Sequence, residues 1–439
     1  MPFVPNTLWI YRRHLAWGPM TTTTDAAPKA SPAAAMGIIG AMFFIFGFVT
    51  WLNGPLITFV KLAFTVDDSI AFLVPFAFYI SYFVFSLPAA RVLRWAGMKK
   101  GMALGLLVMA LGAAAFGAFA TARVFAGALS GLFVIGAGLS LLQTASNPYV
   151  SIMGPIDSAA RRIAFMGICN KAAGILAPLL FSYFVMQGIS GFADAVSAAP
   201  DAHGKELLLN SFAGKIYGPY MAMAALLAVL ALLVWLSPLP EIGDQANAGR
   251  VPSQSTRGIF AQPQLWLGVV CIFFYVGVEV LAGDAIGTYG NGFGLPLDQT
   301  KFFTAFTLVA MLVGYVVGLL IIPRFVSQER YLSFSAVLGL LFAIAAFLTR
   351  GYVSVGFVAV LGFANAMMWP AIFPLGIKGL GRLTETGSAV MIMGIAGGAV
   401  LPQLFAHLKG AFGFQLVFLC LMVPAYAYIL FFSRFVGRK

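Results

Sequence analysis

Of the chain's 439 residues, 61% are hydrophobic and 9% are charged, against roughly 45–50% and 25% in an ordinary soluble protein. Its 26 Lys/Arg and 14 Asp/Glu are too few to keep a soluble surface of this size hydrated, which excludes a soluble enzyme. The net charge of +12 is accounted for below by the sidedness of the positive residues, without nucleic acid.

The chain opens on a polar tail, residues 1–35, that carries Arg12, Arg13 and His14. It has no apolar core followed by a cleavage site, so it is not read as a secretory signal peptide. Stretches of nineteen or more residues without Asp, Glu, Lys or Arg then recur twelve times, at 31–60, 69–90, 101–122, 124–156, 172–193, 216–240, 258–278, 302–323, 331–349, 351–377, 386–408 and 410–433. A spanning helix needs about 20 apolar residues, and these stretches lack the ten-residue alternation of an outer-membrane barrel. Backbone in hydrocarbon must satisfy its own hydrogen bonds, so an all-α polytopic membrane protein with twelve transmembrane helices is predicted.

Residues 36–237 form the first six-helix bundle, residues 238–263 a Pro-, Gly- and Ser-containing linker, and residues 264–436 the second bundle. The other long connection, 187–215, with Asp194, Asp201 and Glu206, is expected on the far side. If the N-terminus is cytoplasmic, eighteen Lys/Arg fall on the cytoplasmic side and seven on the other. That asymmetry follows the positive-inside rule, with both termini and the linker cytoplasmic. The basic loop between the second and third spans, with Arg91, Arg94, Lys99 and Lys100, is a candidate cytoplasmic gate.

The halves repeat one another. Gly47 matches Gly277 and Leu56 matches Ile286 at an offset of 230, which pairs Gly54 with Asp284. Later, Asn147-Pro148 sets against Trp369-Pro370, Met166-Gly167 against Met393-Gly394, and Gly174 with Pro178 against Gly398 with Pro402. Two six-helix halves with a midplane site between them is a transporter pattern.

Charge inside a membrane helix costs about 2.5–3.5 kcal/mol on insertion scales and marks function by default. Lys171 in the fifth span and Glu279 and Asp284 in the seventh are the deep charges; a purely structural ion pair is the alternative. Asn53, Gln143, Asn147, Asn170, Asn365 and Gln403 sit at similar depth, and each both donates and accepts hydrogen bonds, which suits a polyhydroxylated ligand. Phe46, Trp51, Tyr79, Tyr275, Tyr289 and Trp369 offer ring faces for the C–H face of a sugar. Asn53-Gly54-Pro55 and Asn147-Pro148 are expected helix breaks beside these side chains. Cys169, Cys271 and Cys420 lie within spans, the three histidines are isolated, and no nucleotide-binding loop occurs. Neither catalysis nor a cofactor or metal is therefore expected.

The stretches 43–57, 141–149, 167–174, 275–284 and 369–381 resemble the major facilitator superfamily. More narrowly, they are similar to its fucose/galactose/hexose–cation symporters, and within those to the bacterial glucose/galactose transporters. The resemblance runs over roughly residues 37 to 435. It implies the superfamily's fold and places sugar contacts on Phe46, Asn170 and Trp369. It also exposes a departure: the fucose–proton symporters carry Asp at the position of Gly54 and Glu at that of Gln143, and this chain carries neither.

The expectation is therefore a multi-pass protein of the bacterial inner membrane, working as a monomer among lipids. It would import a hexose, glucose or galactose, with Na⁺ or H⁺ by alternating access. Phe46, Asn53, Gln143, Asn147, Asn170, Lys171, Asn365, Trp369 and Gln403 would line the sugar site, and Glu279 and Asp284 would serve the cation. N-acetylglucosamine as cargo, a drug exporter of the same superfamily, and a transport-inactive sugar sensor are the alternatives.

Overall fold

The computed structural model describes residues 32–152, 159–239, 258–322 and 324–438. Most of the expected tail and linker therefore lies outside the described residues. Among these, all regular structure is helical, and twelve helices are long and apolar enough to cross a membrane. They run Met36–Ala63, Asp68–Ala96, Met98–Thr121, Phe125–Asn147, Arg162–Phe184 and Ala202–Leu236 in the first half. The second half has Pro263–Gly283, Leu297–Ile321, Gln328–Leu348, Gly351–Ile377, Thr386–Phe412 and Phe414–Gly437. Large apolar side chains such as Phe83, Leu111, Leu236, Phe334 and Leu348 point outward, as the lipid-facing side of such a bundle requires.

Packing follows the repeat. In the first half the first span packs on the fifth, the second on the fourth, and the third on the fourth and sixth. In the second half the seventh packs on the eleventh, the eighth on the tenth, and the ninth on the tenth and twelfth. Each pair is the other's counterpart six spans on, and so are the two most extensive contacts between halves, fifth on eighth and second on eleventh. Lipid gives helices no hydrophobic reason to associate, so close approach at small residues supplies the packing. At Gly47 the first span lies against the Asn170 backbone so closely that a Cβ would collide with it.

Four spans are interrupted near their middles. The first breaks at Leu52, between Pro32–Trp51 and Asn53–Ala63, where Pro55 has no N–H to return to the preceding turn. The seventh stops at Gly283 and resumes as Ile286–Asn291; hydroxyls of Thr307 and Thr304 on the eighth span donate to the freed carbonyls of Ala282 (3.0 Å) and Gly283 (2.8 Å). The tenth changes course between Asn365 and Met368, ahead of Pro370, and the eleventh narrows to a 3-10 turn at Gly394–Ala396.

The break expected at Asn147-Pro148 is absent: the fourth span is one helix, Phe125–Ile152. Side chains of Thr144 and Asn147 donate to the carbonyls of Ser140 (2.7 Å) and Gln143 (3.1 Å) and hold the turn that the proline weakens. The connection at 187–215 holds two helices, Ile189–Ser197 and Ala202–Gly214. Gly188, at φ +67°, turns the chain out of the fifth span, and Asp201 caps the second helix through the Gly204 N–H.

Candidate functional site

Where the halves meet, a cavity of about 670 Å³, mouth included, opens between the first, second, fourth and fifth spans and the seventh, eighth, tenth and eleventh. Phe46, Gln143, Asn147, Asn170, Lys171, Glu279 and Trp369, all anticipated from sequence, line it. Thr50, Tyr82 and Tyr315 also line it and were not anticipated.

The polar groups are already ordered. Gln143 Nε2 donates to the Tyr82 hydroxyl at 3.1 Å, and Trp51 Nε1 donates to Asn170 Oδ1 at 3.3 Å. Trp369 stacks on Phe373 with centroids 5.5 Å apart and tilts toward Tyr275 at 6.4 Å. The cavity thus offers amide donors and acceptors on the first-half side and an aromatic wall on the second-half side.

Lys171 crosses between them. Its ammonium lies 3.0 Å from Glu279 Oε1 of the opposite half and 4.3 Å from the centroid of the Trp51 ring. The ring quadrupole attracts the ammonium while the carboxylate neutralises it. This ion pair sits inside the cavity and ties the halves together at the membrane's middle.

Asp284 is separate. It is 2% exposed, lies off the cavity wall, and neither carboxylate oxygen completes a hydrogen bond among the described residues, although the Gly54 N–H and the Tyr79 hydroxyl face it. A Cβ on Gly54 would lie 3.3 Å from Asp284 Oδ1 and 2.5 Å from Thr304 Oγ1. The absence of a side chain at 54 is therefore what admits the Asp284 carboxylate. Lys171, Glu279 and Asp284 together leave one formal negative charge in excess at the centre. Among the described residues, no three His, Cys, Asp or Glu gather as a metal ion would need.

Several expected lining residues point elsewhere. Asn53 is 1% exposed and turns back to donate to the Thr50 carbonyl at 3.0 Å. Asn365 is fully buried behind the tenth span, accepting from the Tyr426 hydroxyl at 2.9 Å. Tyr289 is spent on Ser354 Oγ at 2.7 Å. Gln403 stands at one end of the molecule, where its Nε2 donates to the Ser69 carbonyl at 2.9 Å. Asn53 and Asn365 turn away from the cavity around their helices, whereas Gln403 also lies at a different depth, at the end of its span.

Gln403 belongs to a clasp. At that end Asp68 joins Lys61 at 2.7 Å and Lys409 of the other half, and the Ser69 hydroxyl donates to the Ala406 carbonyl at 3.4 Å. Close by, Ser190 N–H donates to Asp298 Oδ2 (3.2 Å), Asp298 N–H to Ser190 Oγ (3.3 Å), and Lys301 to the Met186 carbonyl (3.1 Å). At the opposite, basic end, Lys99 donates to the Ser237 carbonyl (2.6 Å) and Lys100 lies 5.9 Å from the centroid of the Trp235 ring. Both ties bind that loop to the sixth span of its own half, while Arg91 and Arg94 are exposed. In this conformation the polar links between halves described here are at the centre and at the Asp68 end.

Comparison with known proteins agrees with this geometry. The family model described as Major Facilitator Superfamily matches residues 39–406. The chain is 30% identical over 419 residues to the glucose/galactose transporter of Brucella abortus biovar 1 (strain 9-941), covering 95% of this chain and 97% of that one. It is 27% identical over 418 residues to the L-fucose-proton symporter of Escherichia coli (strain K12), covering 94% and 95%. The crystal structure of the transporter FucP in the outward conformation superposes with a TM-score of 0.75 at 26% identity, over 93% of this chain and 100% of that one. Twelve spans, paired halves and a cavity on their shared axis thus come with a family match over most of the length, and the chain belongs to the major facilitator superfamily.

Proposed function

We propose that this chain is a cation-coupled symporter that takes up a hexose, glucose or galactose, by alternating access. It works as a monomer in a bacterial inner membrane, with the basic end and both termini in the cytoplasm. The observation that carries the reading is the cavity between the halves, where ordered amides face an aromatic wall and a buried ion pair spans the two. Sugar hydroxyls would take up the amide hydrogen bonds of Gln143, Asn147 and Asn170, and the ring's C–H face would pack on Trp369. Two relatives named as glucose/galactose and fucose–proton transporters support the substrate class.

Coupling needs a group whose occupancy changes which conformation is favoured, since only differential affinity shifts an equilibrium. Asp284 meets that need: its carboxylate lies unpartnered on the contact between halves, and the Lys171–Glu279 pair leaves it without a counter-charge. One Na⁺ or one proton would neutralise the centre. No cofactor is invoked.

The test is labelled glucose uptake into proteoliposomes of the purified protein with an inward Na⁺ gradient, an inward pH gradient, or neither, in competition with unlabelled galactose, fucose and N-acetylglucosamine. Accumulation driven by one gradient and competed by galactose is expected. Equilibration without accumulation under every gradient would refute coupling. Competition by N-acetylglucosamine alone would replace the substrate.

A further inference from the structure

A second, smaller space lies between the halves on the clasped side of Asp284, apart from the central cavity. Ile57, Leu62 and Leu297 share its lining with Thr58, Lys61 and Asp68 of the first and second spans and Thr288 and Asn291 of the seventh, around about 360 Å³ of empty space, mouth included. That leaves room for several waters at about 30 Å³ each.

Its position follows from helix geometry. Positions 54, 58 and 61 share one face of the helix Asn53–Ala63. Beyond the break at Asp284, Thr288 and Asn291 share one face of Ile286–Asn291. Oxygen-bearing side chains from both halves thus stand between the buried, unpartnered Asp284 carboxylate and the molecular surface. Hydroxyl, amide and carboxylate oxygens are what a small hard cation or a proton-carrying water chain uses. The central cavity shares none of these residues.

The mouth of this space is the clasp. Asp68 is held by Lys61 of its own half and Lys409 of the other, and the neighbouring Asp67 carboxylate is turned to the Ile70 N–H at 2.9 Å. Lys61 and Lys409 against Asp67 and Asp68 leave the closed mouth neutral. Separation of the halves would carry Lys409 away and leave one negative charge in excess, which favours entry of a cation.

We propose that this chamber is the route by which the coupling cation reaches Asp284 from outside, separate from the path of the sugar, and that the Asp68 clasp shuts it while Lys409 holds the halves closed on that side. The proposal rests on the symporter reading above and adds the cation's path and its gate.

The test replaces the two hydroxyls at nearly constant volume. T58V/T288V and the hydroxyl-keeping T58S/T288S are reconstituted beside the wild type, and gradient-driven accumulation and sugar counterflow are measured against Na⁺ concentration and against outside pH. For T58V/T288V, counterflow within twofold of wild type is expected, with at least a fivefold higher half-saturating cation concentration; T58S/T288S should recover to within twofold. The responsive gradient distinguishes Na⁺ from protons. An unchanged cation dependence in T58V/T288V, with the wild type coupled, would overturn the route alone. A wild type with no cation dependence would overturn the symporter reading and the route with it. Equal loss of counterflow in the Val and Ser variants would assign the threonines to packing and overturn the route.

Discussion

Replacing Glu279 by Gln tests the central ion pair. The side chains of Lys171 and Glu279 are 7% and 11% exposed, and their charges lie 3.0 Å apart. At an effective dielectric constant of about 20 the attraction at this distance is about 5–6 kcal/mol, most of it offset by the cost of taking both ions out of water. Removing one partner strands the other, at about 3–5 kcal/mol. The Trp51 ring, 4.3 Å from the ammonium, remains and returns about 1–2 kcal/mol. E279Q should therefore lose about 1–4 kcal/mol of stability, while the apolar pair K171M/E279L should lie within about 1 kcal/mol of wild type or above it. Thermal unfolding of purified protein gives the order of stability, and counterflow gives activity. Both variants should lose glucose counterflow, since each removes charged groups from the cavity wall. Equal stability of E279Q and wild type, or a double variant no better than the single one, would refute the claim that the pair holds the halves.

Two further outcomes follow from the same geometry. D284N should abolish gradient-driven accumulation yet keep sugar counterflow, because Asp284 lies off the cavity wall; concentrative uptake by D284N at the wild-type rate would remove Asp284 from coupling. K409Q should weaken the clasp by about 0.2–1 kcal/mol, the usual worth of a partly exposed pair, and so shift the halves up to about fivefold toward the open form at that end. The readout is labelling of T288C by an impermeant thiol reagent, with Cys169, Cys271 and Cys420 replaced; an unchanged labelling rate would refute the clasp.

Depth was legible in the sequence for the central charges and most of the amides, though not for Gln403, and direction was not. The distance of Lys171 from Arg162 and the apolar length of each span put the deep polar residues at the right level. Spans that are apolar all round carry no periodic stripe to show which face meets the cavity, so Asn53, Asn365 and Gln403 were assigned to it with Gln143 and Asn147. Asn365 meets Tyr426 and Gln403 meets the Ser69 carbonyl instead, contacts made by spans distant in sequence. Tyr82, Tyr315 and Thr50 were missed because Tyr and Thr are equally at home against lipid headgroups or in helix packing. The pairing of Gly54 with Asp284 was visible because a repeat keeps the position of an exception even where the residue types diverge.

That pairing leads to a last prediction. Positions related by the repeat that also touch one another lie on the pseudo-twofold axis between the halves, and a Cβ at 54 would come within 3.3 Å of Asp284 Oδ1. A second carboxylate placed so near the first could not stay ionised beside it, and the Thr304 hydroxyl, 2.5 Å from the same Cβ, must rotate aside for any side chain at 54. The axis therefore holds one acid, and either half can supply it. G54D alone should impair folding or coupling through crowding and like charge, and D284G alone should lose coupling. The exchange G54D/D284G moves the carboxylate to the other side of the same space and should recover accumulation to within about tenfold of wild type, well above either single variant. Gradient-driven uptake of the three variants decides it. A double variant no better than its worse parent would mean that the carboxylate works through the surroundings of the seventh span, the Thr304 and Thr307 hydroxyls on its freed carbonyls, and not through its place on the axis.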